Sequence, residues 1–135
     1  MRFAFSSLMG FEKVYKGLLW IQGSYTLLTA LWAIVDIDSF MRVTGPKTDI
    51  WLVKTVSVVL AAIGISLLVH ASAKEANKLP AAILGMTTAL GLAIIDFYYS
   101  GNEVISMIYA IDGVMEVVFF VIWIYILATE QNKPH

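Results

Sequence analysis

Asp112 and Glu116 stand four residues apart in a stretch, Val104 to Leu127, that carries no other charge. On a helix that spacing puts both carboxyls on one face, a turn apart. A charge near the middle of a bilayer costs about 2.5–3.5 kcal/mol on insertion scales, so an ionisable residue within an apolar run is a candidate functional group. Lys54 and Asp96 interrupt two other apolar runs in the same way. At about 1.5 Å per helical residue, Lys54 and Asp96 lie about 6 Å inside their spans, Asp112 about 12 Å and Glu116 about 18 Å. All four are measured from the same end of the bundle. One lysine against these carboxyls leaves excess negative charge, which a proton, a cation or a cationic ligand would complete. Acid–base chemistry on a lipid is a further use of such a carboxyl, but no catalytic motif accompanies it. The plainer reading is a Lys54 ion pair with Asp96 or Asp112 that fixes helix register.

The elements that must hold these groups follow from composition. The chain has 135 residues, 59% hydrophobic and 14% charged, with mean hydropathy +0.80. Soluble domains are usually about 45–50% apolar. Four spans are expected, at about residues 16–37, 50–72, 79–99 and 104–128, in one all-α domain covering 1–135. Short links make them an up-down-up-down four-helix bundle, because lipid admits only internally bonded helices. Phe3, Phe5, Leu8, Met9 and Phe11, with Arg2 and Lys13, suit a short interfacial segment before the first span. Zero cysteines and two distant histidines offer no disulfide or cysteine–histidine metal site, and nothing calls for a cofactor. A net charge of −1 with scattered basic residues offers no nucleic-acid surface.

Each span has one polar or small stripe: Gln22, Thr26, Thr29 and Asp36; Lys54, Ser57, Ala61 and Gly64; Ala81, Gly85, Ala89, Ala93 and Asp96; and Ile105, Tyr109, Asp112, Glu116, Phe119 and Trp123. Facing inward together, they predict a pocket open to the outside and narrowing toward the cytoplasm. The expected ligand-binding residues are Lys54, Asp96, Asp112, Glu116, Tyr109 and Trp51, with Arg42, Lys47 and Tyr98 at the mouth. Gln22, Thr26 and Thr29 read as interhelical hydrogen-bond partners, and the tryptophans mostly as interfacial anchors.

Arg2, Lys13, Lys16, Lys74, Lys78 and Lys133 lie at one end, against Arg42, Lys47 and partly buried Lys54 at the other. The bias predicts a multi-pass protein of the inner membrane with both termini cytoplasmic. Asp49 or Thr48 suits a helix cap, and Asp36-x-Asp38 is too common a pair to indicate a diphosphate site. The run Val43-Thr44-Gly45-Pro46-Lys47-Thr48-Asp49, with Trp51-Leu52-Val53 after it, resembles a signature of small uncharacterised four-span membrane proteins of bacteria. The resemblance implies fold and location and carries over no site residue. The leading expectation is a membrane protein that binds an amphipathic or lipid-like ligand between its helices, with membrane lipids or that ligand as partner. The alternatives are a structural subunit of a membrane complex, or a proton- or cation-coupled transporter using Asp112 and Glu116 as a homo-oligomer.

Overall fold

The computed structural model describes residues 2–74 and 77–131, with side chains from Met9 onward. Five helices follow in order: α1 (Arg2–Val35), α2 (Ile37–Thr44), α3 (Ile50–Ser72), α4 (Lys78–Gly101) and α5 (Ile108–Gln131). Four of them are long and apolar enough to cross a membrane, at Met9–Val35, Ile50–Ser72, Lys78–Gly101 and Ile108–Gln131. The chain is a multi-pass, all-helical membrane protein built as a four-helix bundle.

Helix α1 runs unbroken through the expected interfacial segment. Phe11 and Tyr15 are buried in the core instead of lying on a membrane surface, while the side chains of Phe3, Phe5 and Leu8 lie outside the described residues. The rings of Phe11 and Tyr15 have a protein surface to pack on, which is a better partner than the headgroup region. The expected loop after Val35 also contains a helix, α2. Asp36 caps it by accepting a hydrogen bond from the Ser39 backbone N–H at 3.0 Å, and that bond holds the Asp36 carboxyl below its ordinary range. Gly45 ends α2 at φ 89°, a conformation that side chains resist. Asp49 occupies the N-cap position of α3 without a side-chain capping bond. Asn77 caps α4 through the Leu79 N–H, and Pro80 falls in the first turn, where its missing N–H has no partner to lose.

The bundle is two tight pairs, α1 with α3 and α4 with α5, that meet each other along smaller contacts. Glycines make each pair tight. A Cβ on Gly64 would sit 2.8 Å from the Gly23 carbonyl oxygen and 2.8 Å from the Leu27 nitrogen, so α1 and α3 touch nearly backbone to backbone. A Cβ on Gly85 would sit 2.5 Å from Trp123 Nε1, so the α4 glycine is the slot for the α5 indole. The expected small-residue face of α4 is the packed one, with Ala81, Gly85, Ala89 and Ala93 all buried. The core, around Phe11, Tyr15, Leu19, Leu67, Trp123 and Ile126, fills the half of the bundle nearer the two chain ends. At that end Lys78 pairs with Glu12 and Glu130 and lies over the rings of Phe11 and Tyr15.

Replacing Gly64 or Gly85 by alanine forces a Cβ into occupied space and is expected to lower stability by about 1–3 kcal/mol. At Gly91, where no atom lies within 4 Å of a Cβ, alanine is expected to be neutral or slightly stabilising. Thermal unfolding of the three variants in detergent checks the contrast.

Candidate functional site

The two helix pairs separate toward the end that carries α2. There they enclose a cavity of about 470 Å³. One helical turn below Thr26 lies a floor of the bundle, a polar layer that ties three helices together: Gln22 Nε2 donates to the Gly85 carbonyl at 2.9 Å, and Trp123 Nε1 donates to Gln22 Oε1 at 2.7 Å. Gln22 and Trp123 are both 0% exposed. The expected hydrogen-bonding role of Gln22 is observed, and Trp123 is a core residue rather than an interfacial anchor.

Above this floor the cavity wall carries Asp96, Asp112 and Glu116, brought together from α4 and α5. The local cause is Gly113. A Cβ there would meet Asp96 Cβ at 3.2 Å and Phe97 Cζ at 3.1 Å, so glycine lets α5 approach α4 beside Asp96, next to the preceding residue, Asp112. Tyr25 of α1 donates its hydroxyl to Asp112 Oδ1 from across the bundle. Asp96 Oδ2 and Glu116 Oε2 are buried without any hydrogen-bond partner, although the residues are only 4% and 2% exposed. Thr26 Oγ1, on the α1 side of the same cavity, is unpartnered too. Buried acceptors in native proteins are almost always satisfied, so a group of such orphans facing one space marks a place that something else completes.

The expected Lys54 ion pair is not formed, and a different lysine lines the cavity. Lys54 is exposed on α3, and among the described residues no ion pair joins it to Asp96, Asp112 or Glu116. Its register on α3 turns it outward from Ser57, which is buried on the cavity side. Lys47, assigned by sequence to the mouth, is the lysine on the wall. Its ammonium donates to the carbonyls of Thr44 at 2.9 Å and Gly45 at 3.0 Å and lies 5.1 Å from the centre of the Tyr109 ring. Burial pushes Lys47 below its ordinary value. Tyr109 lines the cavity as expected. Trp51 and Tyr98 do not: they are 69% and 63% exposed, and Arg42 is exposed as well. Tyr25 and Phe40 are wall residues that sequence reasoning did not single out as site residues. Tyr25 lies three residues after Gln22, on the polar stripe of α1, which was the available signal.

The remaining walls are apolar: Ala30 and Ala33 from α1, Val53, Val56 and Leu60 from α3, Leu92 and Ile95 from α4. Lys47, Leu52, Val53 and Ile105 are shared with a second hollow of about 660 Å³ among the loops, so these side chains divide the cavity from the α2-end surface. The expected free opening to the outside is therefore partitioned. Among the described residues no His, Asp and Glu side chains are gathered as a metal-ion ligand set. The arrangement is a greasy chamber with carboxyl acceptors on one wall and aromatic rings on two others.

Trp123→Phe removes the donor to Gln22 Oε1 and leaves that oxygen buried and unsatisfied. It is expected to lower stability by about 1–2 kcal/mol, and a double-mutant cycle with Gln22→Leu checks the coupling. Among known proteins, no family model, no curated protein and no solved structure matches the chain, so its functional reading rests on the chemistry of this chamber.

Proposed function

We propose that the protein binds an amphipathic or lipid-like small molecule in the chamber between its two helix pairs, with the ligand's polar group at Asp96, Asp112 and Glu116. The observation that carries the reading is the pair of buried, unpartnered oxygens, Asp96 Oδ2 and Glu116 Oε2, on the wall of an apolar cavity of about 470 Å³. Ligand sites combine apolar walls with a few placed polar groups, and the volume suits a small ligand or the head and upper chain of a longer one. A register-fixing role for the carboxyls has less support, since the expected Lys54 pair is not formed and two acceptors are left open in a region where desolvation is costly.

The chamber sits at the α2 end. The basic residues Lys13, Lys16, Lys74 and Lys78 cluster at the opposite end, which we assign to the cytoplasm of a bacterial inner membrane. Because the chain has no cysteine, single replacements report sidedness directly. A Thr48→Cys variant is expected to react with a membrane-impermeant maleimide in intact cells, and Lys74→Cys only after permeabilisation. The reverse pattern overturns the orientation.

Binding itself is tested by native mass spectrometry of the protein purified in mild detergent, comparing wild type with an Asp112→Asn, Glu116→Gln double variant. The expected result is an amphiphile retained by wild type and lost from a variant of similar thermal stability. Empty spectra from both, at equal stability, overturn the reading in favour of a structural role.

A further inference from the structure

The chamber has a mouth, and it opens sideways. Leu52 and Val56 of α3 and Ile95 of α4 line the cavity, yet they are 47%, 47% and 50% exposed. A side chain that is both wall and outer surface marks an opening. All three lie within candidate membrane spans, and Val56 and Ile95 are each six residues from the α2-end terminus of their helices, about 9 Å deep. The opening between α3 and α4 thus faces hydrocarbon, consistent with the limited contact between these two helices. Toward the water-facing end, Lys47, Leu52, Val53 and Ile105 stand between the chamber and the loop hollow.

The interior selects by charge. Asp96, Asp112 and Glu116 share the wall with one cation, Lys47, whose ammonium is already occupied by the Thr44 and Gly45 carbonyls. An anionic head would face three carboxyls in a low-dielectric space, where any ionised one repels it strongly. A neutral hydroxyl would satisfy one open acceptor and leave the charge balance untouched. A primary ammonium supplies both positive charge and several N–H donors, enough for Asp96 Oδ2 and Glu116 Oε2 together. The rings of Tyr25, Tyr109 and Phe40 also line the chamber, and aromatic rings favour a nearby cation.

We infer that the ligand is a lipophilic primary ammonium ion, which enters from the lipid between α3 and α4, sets its head among Asp96, Asp112 and Glu116, and leaves its chain in the lateral mouth. This rests on the amphiphile-binding reading above and adds the charge of the head and the route of entry.

The test uses the full chain in phosphatidylcholine nanodiscs, with empty nanodiscs correcting for partition. Radiolabelled dodecylammonium is expected to bind saturably, with dodecanol and dodecanoate at least ten-fold weaker as competitors. Glu116→Gln is expected to weaken dodecylammonium at least ten-fold and dodecanol by much less, and Asp112→Asn, read with a thermal unfolding control, serves if that variant does not fold. Val56→Trp narrows the mouth and is expected to slow association at least ten-fold. Val58→Trp, on the exposed face of α3 away from the chamber, leaves the rate unchanged. Equal competition by dodecanol or dodecanoate, or insensitivity to both carboxyl changes, overturns the cationic head and leaves amphiphile binding standing. A wild-type rate in Val56→Trp overturns the lateral route. Failure of all three chains to bind removes the amphiphile reading as well.

Discussion

Everything at the α2 end depends on one buried amide. Gln22 is a fully buried side chain that bonds the α1–α3 pair to the α4–α5 pair twice, donating to the Gly85 carbonyl and accepting from Trp123. Interhelical hydrogen bonds in membranes average only about 0.6 kcal/mol. The value of this one lies in its place: it falls where the Gly85 slot already fixes the Trp123 ring, so the polar bond and the tightest steric contact of the second pair reinforce each other. Toward the chain ends the four helices close on an aromatic and aliphatic core. Away from it the pairs are joined by the Tyr25–Asp112 bond and the contacts of α2, and a chamber remains between them.

The chamber's chemistry follows from that geometry. A glycine at position 113 draws α5 against α4, so acidic residues from two helices share one wall; Tyr25 then reaches Asp112 from α1. Only one acid of the set has a hydroxyl donor from the opposite pair. Lys47 is turned toward loop carbonyls by the turn at Gly45, which leaves a cation in the cavity lining without an ion pair to the carboxyls. Unmet acceptors in a dry space are costly to a folded chain, and their persistence is the physical ground for expecting a guest.

Much of this was legible in the residues. Length and hydropathy define the four spans, and the four-residue spacing of Ala81, Gly85, Ala89 and Ala93 identifies the packed face of α4, because small side chains in lipid are useful chiefly where helices touch. The Asp112–Glu116 spacing places both carboxyls on the inner face with Phe119 and Trp123. Position along a helix was less legible than depth. Lys54 lies at the right depth on the wrong side of α3, since a single charge in an apolar run has no periodic partner to fix its angle. Trp51 and Tyr98 are likewise near the chamber in height but point outward. Lys47 belongs to the wall because Gly45 bends the loop back over Tyr109, a tertiary fact with no periodic signature. Helix α2 was hidden for a related reason: eight residues with a sharp polar–apolar division read as a loop when their only apolar surface is the bundle's edge.

The division into two glycine-tightened pairs also sets an order of events during synthesis. Helices α1 and α3 can complete their Gly23–Gly64 contact while α4 is still in the ribosome, and α4 with α5 can then dock around Trp123 as a second hairpin. The chamber borrows walls from both hairpins, so it does not exist until they meet. Its carboxyls, all on α4 and α5, therefore enter the bilayer after the α1–α3 walls that come to enclose them, and the chamber is the last part of the molecule to come into being.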